Sequence, residues 1–211
     1  MRSFTIEEVS KAIELANLRQ SKLTEEILSL DGNENSPRKV RCLLNNLVTS
    51  NDKYLEVGSW RGASCISAIY KNNVRHYNCI DSFCQTGEGN RQILENNFRT
   101  IIGAEPNLIE QDSFAVDLEK MEKDFTVYFY DGFHSFDAQK QALTYYYPVL
   151  ADEFLLIVDD WDTQGWGVQE GTYAGIMECK LNVAYKVELH NVPGRHLEEW
   201  WNGLGIFILR K

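Results

Sequence analysis

From residue 53 onward the chain alternates short apolar runs with longer stretches of helical spacing, and this alternation limits the fold more than any other feature. The runs cover residues 54–57, 76–80, 107–111, 126–130 and 154–158. Between them lie patterns such as Ile93, Leu94, Asn97, Phe98 and Ile101, which suit a helix. Strand–helix alternation builds a parallel sheet covered by helices on both faces. The run from Phe154 to Val158 is apolar throughout, as a central parallel strand must be. Two further runs, 185–190 and 206–209, flank a long loop with Pro193, Gly194, Trp200 and Trp201. They predict a hairpin that closes the sheet at its edge.

The first 50 residues read differently, as helices. Thr5 followed by Glu8 fits a capping box. Ser36-Pro37 reads as an N-cap with proline at the first helical position, after a polar loop over 31–35. Val40, Leu43, Leu44 and Leu47 then share one helical face. The expected division is a helical N-terminal extension over 1–50 and a second unit over 51–211. The extension would pack on the core as a cap on the acceptor side or as the contact of a homo-oligomer.

Composition excludes several classes of function. The chain has 211 residues, a size that buries about 70% of its unfolded surface without disulfides or metals. Lys and Arg number 21 and Asp and Glu 31, a formal charge of −10. Such a surface repels phosphate backbones, so no nucleic-acid partner is expected. No 18-residue apolar run occurs, so no membrane partner is expected either. The five cysteines are irregularly spaced and the N-terminus lacks a signal-peptide core, which points to a cytoplasmic protein. Cys79 and Cys84 with His76 and His134 lack the C-x-x-C pairing of a zinc site.

Acidic residues gather where the strands end. Asp81, Asp112, Asp131, Asp159 and Asp160 follow four of the runs, and Glu56 lies within the first. In an open α/β sheet, ligands bind outside the carboxyl ends of the strands. Helix capping explains one or two of these acids, but an N-cap needs only one acceptor, and Asp159-Asp160 is a pair. The first run leads into Gly58-Ser59-Trp60-Arg61-Gly62-Ala63-Ser64, a strand–turn–helix junction bracketed by glycines. Gly58 and Gly62 permit backbone to approach a ligand, and the helix start favours a negative group.

The segment Glu56-Val57-Gly58-Ser59-Trp60-Arg61-Gly62 resembles motif I of class I S-adenosylmethionine-dependent methyltransferases. Asp81, 25 residues after Glu56, matches the family's ribose-binding acid at the end of the second strand. Gln111-Asp112-Ser113 stands where the family meets adenine. Residues 130–136 (Tyr-Asp-Gly-Phe-His-Ser-Phe) resemble the D-G-D-H-S-Y segment of a small subgroup, and Ile157-Val158-Asp159-Asp160 resembles its fifth-strand motif. The resemblance covers roughly residues 50 to 211. It implies a Rossmann-like, doubly wound, mostly parallel seven-stranded sheet with the last strand antiparallel. It implies S-adenosylmethionine as cofactor, held by Glu56, Gly58, Ser59, Trp60, Gly62, Ser64, Asp81, Ser82, Asp112, Ser113 and Asp131.

Within that family, Asp131, Asp159 and Asp160 resemble the metal ligands of catechol-type and sugar-type O-methyltransferases, which implies Mg²⁺. Hard carboxylate oxygens suit that cation, and three close carboxylates without one would repel. The expected reaction is O-methylation of a small hydroxylated acceptor: a sugar, polyol or phenol. The sugar-type enzymes carry an acid two positions after the first metal aspartate, where this chain has Phe133. The catechol type carries a lysine three positions after it, where this chain has His134. His134 is the first candidate base and Asp162 the second. Two other readings stand beside this one. Asp160-Trp161-Asp162 also fits the D-x-D motif of a metal-dependent nucleotide-sugar transferase. Phe133 fits a cofactor-binding protein without catalysis.

Overall fold

A computed structural model describes residues 2–30, 37–84, 87, 89–192 and 199–211. Seven strands form one sheet in the order β3-β2-β1-β4-β5-β7-β6. They are β1 (Lys53–Val57), β2 (His76–Ile80), β3 (Leu108–Ile109), β4 (Phe125–Tyr130), β5 (Leu150–Asp159), β6 (Asn182–Leu189) and β7 (Leu204–Arg210). Strands β1 to β5 run parallel, and β7 runs antiparallel to both of its neighbours. This is the α/β class expected. Among the described residues the α-helices are α1 (Ile6–Asn17), α2 (Glu25–Leu28), α3 (Arg38–Leu47), α4 (Ala63–Ile69), α5 (Gly89–Ile101), α6 (Phe136–Tyr146) and α7 (Val168–Glu178).

Alternation along each strand divides the core into two layers. In β5, Leu155 and Ile157 pack with Val9, Leu43, Ile66 and Phe98 from α1, α3, α4 and α5. Phe154, Leu156 and Val158 pack on the other face with Leu143 and Ile176 from α6 and α7. The N-terminal helices therefore share a core with the sheet. Thr5 makes the expected capping box with Glu8, bonding in both directions. At α3 the cap differs: Pro37 itself is the N-cap, with no side-chain cap bond, and Ser36 and the loop over 31–35 lie outside the described residues.

Two strands depart from the sequence reading. β3 is two residues long. β5 begins four residues early: Leu150 pairs with Phe125 of β4, and Glu153 with Arg210 of β7, whose Nε donates to Glu153 Oε2 at 2.6 Å. The closing pair is the hairpin expected at the sheet edge: β6 and β7 pair antiparallel, with β7 against β5 and β6 outermost. The loop residues Pro193 and Gly194 lie outside the described residues. The chain runs outward from β1 through β2 to β3, then returns to β4 and runs the other way. That reversal opens a crevice between the carboxyl ends of β1 and β4, where such sheets bind ligands.

Candidate active site

A cavity of about 770 Å³ occupies this crevice. Every strand end that the sequence marked with an aspartate reaches it: Asp81, Asp112, Asp131, Asp159 and Asp160 all line the wall, with Gly58, Trp60, Ser82, Ser113 and His134. Glu56, Ser59, Gly62 and Ser64 do not line it. They form the layer behind the turn.

That inner layer explains the turn. Glu56 is fully buried and accepts bonds from Tyr54 Oη at 2.5 Å and Ser64 Oγ at 2.9 Å. Burial raises its carboxyl to about 7, against the pull of those hydroxyls. Gly58 has φ +90°, and a Cβ there would lie 1.9 Å from the carbonyl oxygen of Asp131. The glycine thus has a reason inside the chain: it lets the β1 turn pass the end of β4. Trp60 also takes a positive φ, +42°. Its N–H donates to Asp81 Oδ2 at 2.8 Å, and Phe83 N–H donates to Asp81 Oδ1 at 2.7 Å. Each carboxylate oxygen can accept a second bond, so Asp81 keeps capacity for a ligand hydroxyl.

Across the cavity lies a compact charged cluster. One ligand atom from each of Asp131, His134 and Asp160 falls within 4.8 Å of the others. His134 Nε2 stands 2.8 Å from Asp160 Oδ2 and 3.7 Å from Asp131 Oδ1, within ion-pair range but off the hydrogen-bond direction. Burial disfavours a charged imidazole, yet the two carboxylates more than offset this and push His134 up to about 10. The poorly hydrated setting raises Asp131 to about 6, with Asp160 adding and His134 opposing. Asp159 falls outside the 4.8 Å group. It is 7% exposed, and its Oδ1 has no hydrogen-bond partner among the described residues. Burial, with Asp131 and Asp160 nearby, holds its pKa well above the ordinary carboxylate value.

Carboxylate oxygens on one wall suit a hard cation such as Mg²⁺, while the ligand atoms that converge within 4.8 Å are those of Asp131, His134 and Asp160. The histidine lies within this cluster, between Asp131 and Asp160. Asp162 points elsewhere: it accepts from Asn191 N–H at 2.7 Å, lies 3.0 Å from His190 Nδ1, and does not line the cavity. Asp160 and Asp162 therefore do not converge as a D-x-D pair. Cys79 is buried against Cys65, with the sulfurs 3.0 Å apart, while Cys84 is exposed.

Among the wall residues, Asn90 and Asn202 carried no sequence signal. Arg61 and Asn90 meet at 2.6 Å beside the turn. Trp201 and Asn202 reach the cavity from just before β7. Trp166 stacks on His134, ring centroids 5.1 Å apart at 18°. The sequence offers Tyr173, Trp161, Trp166, Trp200, Trp201 and Phe133 as aromatic walls for an acceptor; Phe133, 60% exposed, and Trp201 line the cavity, whereas Trp161 is buried against Phe207.

A family profile for a methyltransferase domain matches residues 55–161, half of the chain. No curated protein matches the sequence. Among solved structures, the SAH-bound methyltransferase PaMTH1 of Podospora anserina aligns with a TM-score of 0.65 at 13% identity, covering 100% of this chain and 99% of that one. An O-methyltransferase from Bacillus cereus in complex with SAH aligns with a TM-score of 0.57 at 14% identity, covering 100% and 92%. SMU.776, crystallised with SAH, aligns with a TM-score of 0.60 at 13% identity over 83% of this chain. The chain spans about half of that protein, 49% of its length. At these identities the likeness is one of fold.

Proposed function

The chain belongs to the methyltransferase-domain family, and from that premise we propose that it transfers the methyl group of S-adenosylmethionine to a hydroxyl oxygen of a small acceptor, with Mg²⁺ at the aspartate cluster. The observation that carries the metal half is the unpartnered Oδ1 of buried Asp159, beside Asp131 and Asp160 on one wall. The cofactor half is supported by the family match, by the SAH in the PaMTH1 and Bacillus cereus structures, and by Asp81 at the wall with acceptor capacity left.

Asp81 would accept from the ribose hydroxyls, with Asp112 and Ser113 near the adenine. Gly58 and Trp60 would bound the methionine end, and the acceptor would lie toward Asp131 and Asp160. In the transfer, an acceptor oxygen forms a bond to the methyl carbon as the carbon–sulfur bond breaks. The products are a methyl ether, SAH and the hydroxyl's proton. Asp131, Asp159 and Asp160 would hold the cation, whose charge would acidify the acceptor hydroxyl. His134, 2.8 Å from Asp160, would be the residue placed to receive the hydroxyl's proton.

The test is direct. EDTA is expected to abolish transfer to a hydroxylated acceptor and added Mg²⁺ to restore it. Asp160→Asn is expected to lower turnover far more than cofactor affinity. Full-rate transfer in EDTA would leave a metal-independent methyltransferase. No S-adenosylmethionine binding in calorimetry would remove the reading altogether.

A further inference from the structure

The segment before β7 carries a device aimed at Asp160. Asn202 donates from Nδ2 to Asp160 Oδ1 at 2.6 Å, and both residues line the cavity. Both also sit in the left-handed region, at φ +57° each. For non-glycine residues that conformation is uncommon, with Asn and Asp the types that bear it best. Two such residues joined by a hydrogen bond mark a local geometry that the surroundings enforce. The backbone enforces it. Trp161 N–H donates to the carbonyl of Gly203 at 3.2 Å, and Asp162 N–H to that of Asn202 at 2.6 Å. Thr163 Oγ1 donates to the carbonyl of Asp160 at 2.5 Å. The segment is anchored at its other end as well. Glu199 pairs with Lys39 of α3, and Trp200 is buried under the same lysine at 5.6 Å from ring centroid to Nζ.

The consequence is a division of labour between the two oxygens of Asp160. Oδ1 is bound by Asn202, and Oδ2 is the one that faces His134 at 2.8 Å. A carboxylate with one oxygen tied has lost its freedom to turn before a cation arrives. Groups that orient a metal ligand in this way commonly change metal affinity by about 10- to 100-fold when removed. We infer that Asn202 is a positioning residue, which locks Asp160 with one oxygen presented to the cation site from a segment distant in sequence. The inference rests on the proposed reading of Asp160 as a metal ligand.

Calorimetric titration with Mg²⁺ alone separates the two claims, using the full chain with and without S-adenosylmethionine. Wild type is expected to bind and Asp160→Asn to lose most of that affinity. Absence of Mg²⁺ binding by wild type would overturn the metal reading and this role with it. With the metal reading intact, Asn202→Gly keeps the left-handed backbone and deletes the amide. It is expected to weaken Mg²⁺ about 10- to 100-fold while cofactor affinity stays within about twofold. A general loosening would weaken both ligands. Equal Mg²⁺ affinity in wild type and Asn202→Gly would overturn the positioning role. If that variant fails to fold, the wild-type protein labelled with ¹⁵N asparagine supplies a second measurement. The Asn202 side-chain amide signal is expected to shift with the same Mg²⁺ midpoint as the calorimetry, and a signal that does not move would overturn the role.

Discussion

At Glu56 the fold buries a carboxyl between two hydroxyls and raises it to about 7 from its ordinary 4.5. The native protein therefore keeps a proton that the unfolded chain releases. The stabilisation is complete below the unfolded value and is lost as pH rises through about 7. Glu56→Gln carries a permanent neutral side chain of the same shape. In denaturant titrations, wild-type stability is expected to fall relative to that of the variant by on the order of a few kcal/mol between pH 5 and 8. Parallel curves would mean that Glu56 is ionised throughout. The two turn glycines make a second comparison. At Gly58 a new Cβ meets the Asp131 backbone, whereas at Gly62 it meets the side chains of Phe98 and Leu94 at 3.0 and 3.1 Å. Side chains yield and backbone does not. Gly58→Ala is expected to cost several kcal/mol, and more than Gly62→Ala. Loss of cofactor binding in Gly58→Ala would thus report damage to the fold. Asp81→Ala is the cleaner probe, with S-adenosylmethionine affinity expected to drop about 10- to 100-fold by calorimetry. Unchanged affinity in a folded variant would sink the ribose assignment.

Among the elements, α3 shows where a helical pattern informs and where it stops. Val40, Leu43, Leu44 and Leu47 are buried as their spacing required, but so is Arg41, which no apolar pattern marks. Its guanidinium donates to the carbonyls of Ile27 and Leu28 at the end of α2, and to Ser67 Oγ on α4 at 3.0 Å. One cation thus ties three helices, at the cost of desolvation that lowers its pKa to about 10. Arg41→Ala leaves two carbonyls and a hydroxyl to find new partners. It is expected to destabilise by about 3 kcal/mol or more in chemical denaturation. A loss under about 1 kcal/mol would show that water replaces the guanidinium. The strands divide in the same way. β4 was legible because it is buried throughout, β1 and β2 because each carries buried apolar residues up to its carboxyl end, and the aspartates that follow β2 and β4 were legible as a rim. The early start of β5 and the inner place of β7 in the hairpin were not, since both depend on pairing between residues far apart in sequence, such as Glu153 with Arg210. Of the site, Asp131, Asp159 and Asp160 stood out as an acidic pattern beside a strand. Asn202 could not, because its relation to Asp160 exists only once β7 lies next to β5.

For the molecule as a whole, folding and ligand binding are linked through the crevice. A cofactor that binds only the native protein stabilises it by about 2.7 kcal/mol at a hundred times its Kd. For a chain of this size that corresponds to a rise in Tm of roughly 5–10 °C. S-adenosylmethionine is expected to produce that shift, and Mg²⁺ to add a further one that EDTA reverses. A Tm indifferent to both would count against a site in this crevice. The stacking of Trp166 on His134 has a use in such work. The indole is 54% exposed, flanked by Gly165 and Gly167, and lies flat against the one imidazole of the charged cluster. Light absorbed by that indole is re-emitted with an intensity that depends on the charge of its nearest neighbour. Buried Trp161 and Trp200 emit from a different environment, at shorter wavelength. Emission at the red side of the band, shared with part-exposed Trp60 and Trp201, is therefore expected to change with the charge of the site, and Trp166→Phe to remove the part of that change that comes from His134.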